Sequence, residues 1–228
     1  MKIIRLAQID STNLYAKKLL SKREDVIVTA DFQTGGRGTK GRSFSSDKGG
    51  VYLTKLSFYE NFLAKDAFLI MARAACAVCV TLESYGFKPK IKWVNDIYVE
   101  DKKICGILIE NVFSGNRIAS SIVGIGLNVE NDLPEELQDI AISMRQAANR
   151  EFDKAEVESR LIAALEREFS VEEYIARVGY LNREITLIEG EQCKPAYAVR
   201  VTERGELVVR EGETERTVSA AEVSLRIG

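Results

Sequence analysis

Along the chain, apolar positions fall into short runs whose spacing switches between strand-like and helix-like periods. Residues 2–7 read as a strand, and Asp10, Ser11, Thr12 and Asn13 then offer capping oxygens to a helix over 13–22 with Leu14, Leu19 and Leu20 on its apolar face. Residues 26–30 (VIVTA) read as a second, buried strand, and residues 51–58 (VYLTKLSF) alternate like a half-buried one. Between them runs a Gly-rich, basic loop over residues 33–50. A long helix is predicted over 63–85, closed by Gly86. Short strands follow at 91–93, 97–99, 106–110 and 118–129, with Asp101 and Lys102 as a hairpin turn. Pro134 opens a further helical segment. Asp153, with Glu156 three residues on, has the spacing of a capping box for a helix carrying Val157, Leu161, Leu165 and Phe169.

From about residue 181 the character changes. Ile185, Leu187, Ala196, Ala198, Val199, Val201, Leu207, Val209 and Val218 lie in short alternating runs, punctuated by Glu189-Gly190, Arg204-Gly205 and Glu211-Gly212. Four or five strands in so short a stretch suggest a small barrel. The expected division is therefore residues 1–180 and 181–228, with no internal repeat.

Composition narrows the chemistry. The 228 residues include 32 Lys+Arg and 34 Asp+Glu, no His, 46% hydrophobic and 29% charged residues. This is a globular composition, long enough to bury a sizeable core. The absence of His excludes Ser-His-Asp and Cys-His catalysis, an imidazole base and any His-containing zinc site. Chemistry must run on carboxylates, Lys, Arg, backbone amides or groups that substrates bring. A net charge of −2 weighs against a general nucleic-acid binder, leaving room for a local basic patch. No apolar run approaches the roughly 18 residues that span a bilayer, and the start of the chain reads as a strand and polar turn rather than a secretory signal. The expectation is a cytoplasmic protein with reduced thiols and no membrane partner. Cys76 and Cys79 form a CxxC inside an Ala-rich helical run without a second pair nearby, which suits core thiols better than a redox or zinc half-site.

The stretch Gln33-Thr34-Gly35-Gly36-Arg37-Gly38-Thr39-Lys40-Gly41-Arg42-Ser43 is the most informative. It satisfies GxGxxG at Gly36, Gly38 and Gly41 and nearly satisfies a P-loop, but both motifs need a helix to open directly afterwards. Phe44-Ser45-Ser46-Asp47-Lys48-Gly49-Gly50 is not helical. What survives is the physics: glycines let amides approach a phosphate closely, and Arg37, Lys40, Arg42 and Lys48 supply positive charge. The bland alternative is an exposed, flexible, charged loop.

Further along, Lys92-Trp93-Val94-Asn95-Asp96 places a cation, an amide and a carboxylate within a strand pair, which could equally be a surface hairpin. Lys103 stands at the mouth of the apolar run Ile104–Ile109, or is simply an edge-strand lysine. Gly124-Ile125-Gly126-Leu127-Asn128-Val129 puts glycines inside a strand, which costs stability unless something approaches the backbone closely.

The order of these blocks resembles that of one family, the biotin protein ligases (biotin–[acetyl-CoA-carboxylase] ligases), over nearly the whole chain. The resemblance rests on Ser11-Thr12-Asn13, Gln33 before the Gly-Arg-Gly loop, the Lys92–Asp96 block, Lys103 before Gly106, the Gly124–Val129 block, and the ending Glu222-Val223-Ser224-Leu225-Arg226. Two positions depart from the pattern: Thr39 stands where a second Arg is usual, and Val94 where Pro is frequent. The Ser-Thr-Asn turn begins only ten residues in, which leaves no room for the DNA-binding segment that some members carry ahead of it. No DNA partner is therefore expected.

The resemblance implies an α+β fold: a mixed β-sheet flanked by helices, of class II synthetase type, with a small C-terminal SH3-like β-barrel. It implies activation of biotin by MgATP to biotinyl-5'-AMP, then transfer to a lysine of a biotin carboxyl carrier protein domain of acetyl-CoA carboxylase or a related carboxylase. Biotin would be held by Ser11, Thr12, Asn13, Gln33, Arg37, Gly38, Thr39, Lys103, Gly106 and Gly124, with the strand at Ile107 walling its thiophene ring. ATP and the adenylate would be held by Arg37, Arg42, Phe44, Lys92, Trp93, Asn95, Asn128 and Arg226. Lys103 would bridge the carboxylate and the α-phosphate, Arg37 and Arg42 with Mg²⁺ would neutralise phosphate charge, and Asp96 would hold the acceptor lysine, take its proton or bind the metal. A lipoate–protein ligase and a non-catalytic biotin- or nucleotide-binding module are the rival readings, and a homodimer is compatible with any of them.

Overall fold

A computed structural model describes residues 1–190 and 192–220, and for residues 224–227 the backbone only. Strands β1 (Lys2–Leu6), β2 (Val26–Ala30), β3 (Val51–Leu63), β4 (Lys90–Lys92), β5 (Asp96–Val99), β6 (Lys102–Ser114) and β7 (Arg117–Leu127) form one sheet in the order β1-β2-β3-β7-β6-β5-β4. Only β1 and β2 run parallel; the other pairs are antiparallel. The mixed sheet flanked by helices is as expected.

Alternation along the strands gives the sheet two faces. Val26, Val28, Leu56 and Ile122 face helix α1 (Thr12–Lys18), packing with Ala16, Tyr15 and Leu19. Leu20 joins this cluster, but Leu14 does not. Ile27, Leu53, Val123 and Ile125 face the other way, into a larger core. That core is covered by α2 (Phe68–Glu83) and α4 (Lys154–Ala164), with α5 (Val171–Ala176) packed on α2. Cys76, Cys79 and Cys105 lie fully buried there. Burial pushes all three thiols up, Cys76 to about 11, so they stay protonated packing groups.

Several boundaries differ from the sequence pattern. The helix expected from residue 63 starts at Phe68, because β3 runs on through a bulge to pair Phe62 with Ile118 and Leu63 with Arg117. The β5–β6 turn is Glu100-Asp101, both at positive φ, because Lys102 already pairs with Val99. The segment after Pro134 makes only a single 3₁₀ turn over Glu135–Leu137. Asp153 caps α4 by accepting from Ala155 and Glu156 N–H, but the box does not close, since Glu156 turns to Arg160. The complete capping boxes sit where the pattern was not read, at Ser143/Gln146 before α3 (Met144–Ala148) and Ser170/Glu173 before α5.

Strands β8 (Arg183–Glu189), β9 (Gln192–Val201), β10 (Leu207–Glu211), β11 (Thr214–Val218) and β12 (Ser224–Ile227) form a second, wholly antiparallel sheet in the order β11-β10-β9-β8-β12. It stands where a small SH3-like barrel was expected, and among the described residues no pairing joins β11 to β12.

Candidate active site

Register lines up the central residues. Tyr52 of β3 lies opposite Gly126 of β7, Gly126 opposite Gly106 of β6, Gly106 opposite Asp96 of β5, and Asp96 opposite Lys92 of β4. Two residues along, Thr54, Gly124 and Leu108 form a parallel row. Both rows share the face that α1 partly covers. The glycines allow side chains to lie directly on the strands. A Cβ at Gly124 would sit 2.1 Å from Asn13 Oδ1, one at Gly126 2.5 Å from the Phe44 ring, and one at Gly106 3.1 Å from Lys103 Nζ. Asn13, Phe44 and Lys103 thus meet over one glycine floor. Ile107 has the opposite parity and is buried in the core beneath α2, so Leu108 rather than Ile107 is the β6 side chain on this face.

One end of the floor is lined by hydroxyls and amides, with Glu110 at its edge accepting from Asn13 Nδ2 at 3.4 Å. Ser11 occupies the N-cap position of α1 without making a capping bond, and Ser11, Thr12 and Asn13 are all buried. Gln33 Oε1 accepts from the Thr12 backbone N–H at 2.8 Å and from its hydroxyl at 3.0 Å. Thr54 Oγ1 stands 2.8 Å from Thr12 Oγ1 and 2.7 Å from Asn13 Oδ1. Gln33 Nε2 donates to Ser46 Oγ at 2.9 Å, which ties this network to the far end of the Gly-rich loop. Thr54 and Ser46 were not anticipated. The alternation of residues 51–58 places Thr54 on the same face as Tyr52 and was the available signal; Ser46 lay within a stretch read only as loop.

The other end is charged. Lys103 Nζ pairs with Asp96 Oδ1 at 2.7 Å, each side chain about a quarter to a third exposed (30% and 24%). Lys103 Nζ also lies 5.8 Å from the Phe44 ring centre. Lys92 Nζ donates to Tyr98 Oη at 3.2 Å. Burial, then the nearby Asp96 charge, pushes the Tyr98 phenol up to about 12, so it remains a neutral hydroxyl beside these cations.

The Gly-rich loop folds back on itself between these ends. Phe44 N–H donates to the Gly36 carbonyl at 2.9 Å, Gly38 N–H to that of Arg42 at 2.7 Å, and Arg37 bridges to Ser43. No helix opens after it. Gly36 is indispensable to this fold-back, because a Cβ there would lie 2.3 Å from the Phe44 carbonyl. Thr39, where an Arg was the usual residue, accepts from Arg42: its carbonyl from Nε at 3.3 Å and its hydroxyl from Nη2 at 3.2 Å. Arg37 reaches across to Glu110 at 3.9 Å, which Lys17 holds at 2.7 Å. Glu110, like Tyr98, was not anticipated as part of the site.

Several of the expected ligand residues make hydrogen bonds within the chain. Trp93 is buried between the two sheets, its indole N–H donating to the Gly205 carbonyl at 2.8 Å. Asn95 Nδ2 donates to the Ile107 carbonyl at 2.9 Å. Asn128 is buried, donating to the Ile142 carbonyl and accepting from Asn131. The Arg226 side chain, and Glu222 and Val223, lie outside the described residues. No group of three or more metal-ligating side chains occurs among the described residues, and Asp96 is the carboxylate nearest the cations of the floor.

Residues 6–128 match the family model described as the biotin/lipoate A/B protein ligase family. The chain is 36% identical over 167 residues to the bifunctional ligase/repressor BirA of Bacillus subtilis (strain 168), covering 71% of this chain and 51% of that protein. It is 31% identical over 138 residues to the biotin–[acetyl-CoA-carboxylase] ligase of Paracoccus denitrificans, covering 54% and 53%. The chain thus spans about half the length of these relatives. Among solved structures, it is similar to a biotin protein ligase from Aquifex aeolicus in complex with biotin and ATP, with a TM-score of 0.77, 29% identity, and coverage of 100% and 99%. Matched over more than half its length, the chain belongs to the biotin/lipoate A/B protein ligase family.

Proposed function

We propose that the chain is an ATP-dependent ligase that activates biotin as biotinyl-5'-AMP and passes it to a lysine of a biotin carboxyl carrier domain. The observation that carries this reading is the glycine floor, with a hydroxyl and amide network at one end and Lys103 at the other. A bicyclic urea needs directed donors and acceptors; its carboxylate tail needs a cation. The floor supplies both in that order. The similarity to a ligase whose structure holds biotin and ATP supports the same reading.

In the first step a biotin carboxylate oxygen attacks the α-phosphorus, the acyl–phosphate bond forms, and pyrophosphate leaves. A carboxylate is already ionised at pH 7, so the step needs no general base, and a chain without His can run it. It needs alignment and neutralised charge. Lys103 would lie between the carboxylate and the α-phosphate, and Arg37, Arg42 and Lys92 would turn to the phosphates and neutralise their charge. Asp96 would be the carboxylate to hold a Mg²⁺ carried by the nucleotide, and that ion would neutralise phosphate charge. In the second step a neutral lysine amine attacks the acyl carbonyl and AMP leaves. Asp96 is the candidate to receive the amine proton once Lys103 has turned toward the phosphate.

We assign residues 1–180 to the catalytic unit and 181–228 to a smaller C-terminal unit. The carrier domain of acetyl-CoA carboxylase or a related carboxylase is the acceptor, and the cytoplasm is the compartment. With a net charge of −2, DNA is not taken as a partner. A homodimer remains compatible with the fold. The test is ATP–pyrophosphate exchange with biotin or lipoate as the acid, followed by transfer to a purified carboxyl carrier domain. Biotin-dependent exchange and carrier labelling are expected. Exchange that responds to lipoate and not to biotin would move the chain to the other branch of its family.

A further inference from the structure

The loop between β4 and β5 is fixed from both sides. On one side, Asn95 donates through Nδ2 to the Ile107 carbonyl at 2.9 Å, and Ile107 N–H donates to the Asn95 carbonyl at 2.9 Å. On the other side are two tyrosine hydroxyls. Trp93 N–H donates to Tyr180 Oη at 3.0 Å, and Tyr174 Oη donates to the Val94 carbonyl at 2.8 Å. Both tyrosines are wholly buried. Tyr174 comes from α5, and Tyr180 from the segment that follows it. That segment runs along β4, where Ile91 N–H donates to the Arg177 carbonyl at 2.8 Å and Gly179 N–H to the Ile91 carbonyl at 3.2 Å. The loop is therefore held by the polypeptide that connects the helical layer to the second sheet.

The loop's two ends carry Lys92 and Asp96, which face each other across the strand pair and flank Lys103. Buried backbone groups need partners, and the two hydroxyls supply them at Trp93 and Val94. With that support gone, the loop can shift only by breaking register with Lys92 and Asp96. We propose that Tyr174 and Tyr180 are positioning residues for the nucleotide half of the site, setting where Lys92 and Asp96 stand through the Trp93–Val94 backbone. The assignment of that half to ATP rests on the function proposed above. The other half, built on α1, Gln33 and Thr54, shares no hydrogen bond with either tyrosine hydroxyl among the described residues and is left unaffected.

The test uses the full chain with Tyr174→Phe and Tyr180→Phe, each of which keeps the ring and deletes the hydroxyl. In biotin-dependent ATP–pyrophosphate exchange, KM for ATP should rise roughly three- to tenfold, the order expected for one lost buried hydrogen bond, with KM for biotin unchanged. A merely structural role would leave both KM values unchanged and lower the maximal rate in proportion to the folded fraction; that result overturns the proposal. Amide hydrogen exchange gives an independent reading that needs no activity. In Tyr180→Phe, exchange at Trp93 should quicken, while that at Thr12 stays as in the unsubstituted protein. If Trp93 exchange does not change, the clamp is not holding the loop. If the unsubstituted protein shows no biotin-dependent exchange but the Trp93 amide does respond, the function is misread while the clamp stands.

Discussion

Lys103 is the residue on which the proposed chemistry turns, and its surroundings explain why. It stands over Gly106, where any side chain would press on its ammonium, and it is paired with Asp96 rather than left free. The pair is partly exposed, so its loss should cost the fold about 1 kcal/mol or less. Losing one preorganised charge at the reacting centre costs about 100- to 1000-fold in rate. Lys103→Ala should therefore retain a cooperative unfolding transition while pyrophosphate release drops by that factor; near-normal release would take Lys103 out of the mechanism. At this scale the sequence was a good guide wherever a residue's role follows from its own backbone needs. Gly106, Gly124 and Gly126 announce a close approach simply by standing inside strands. It gave no sign of the partners that Trp93, Asn95 and Asn128 find within the chain, because those partners sit on elements far away in sequence. Nothing near Trp93 in sequence points to Gly205.

The Gly-rich loop is the element whose behaviour the site depends on most. Its hairpin-like fold-back places Phe44 on the glycine floor, where a ligand would lie, and Thr39 beneath Arg42. Glycine gives the loop high entropy, and an anionic adenylate would supply the charge that offsets the ordering cost. An Arg at position 39 would add a charged fork to that grip, where Thr adds a hydroxyl. Thr39→Arg should thus slow release of biotinyl-adenylate from the protein, followed directly as loss of bound intermediate. Unchanged or faster release would mean that the hold of Thr39 on Arg42 already serves that purpose. Elements were legible to differing degrees. The β2 run, the α4 cap and the shift to strands after residue 181 were readable because local pattern and tertiary structure agree. The far half of β3 was not, since Glu60 to Leu63 are recruited as strand only by β7 beside them.

Across the whole molecule, the sealed thiols set a limit on alkaline stability. Cys76, Cys79 and Cys105 hold their protons more tightly folded than unfolded, Cys76 to about 11 from an ordinary 9.0, because burial disfavours the thiolate. Above pH 9 the unfolded chain then binds fewer protons than the folded one, so stability falls as pH rises from about 9 toward 11. Tm measured across that range should decline steadily, and a flat profile would mean the thiols are not sealed. The CxxC reading as core packing was available from sequence, because an Ala-rich helical period with no second pair leaves little else. The order of strands in the second sheet was not, since strand number is written in the alternation but neighbours depend on how the chain turns back.

Trp93 is the single tryptophan of the chain, and it lies at the joint between the two sheets with its indole N–H on the Gly205 carbonyl. Tryptophan emission, excited at a wavelength the eight tyrosines do not absorb, therefore reports on that joint alone. Emission should be blue-shifted in the folded state and move to the red when the turn carrying Gly205 leaves the first sheet. In a denaturant titration, a red shift that precedes the loss of far-ultraviolet ellipticity would show the second sheet detaching first. Coincident curves would show that the two sheets melt as one cooperative unit.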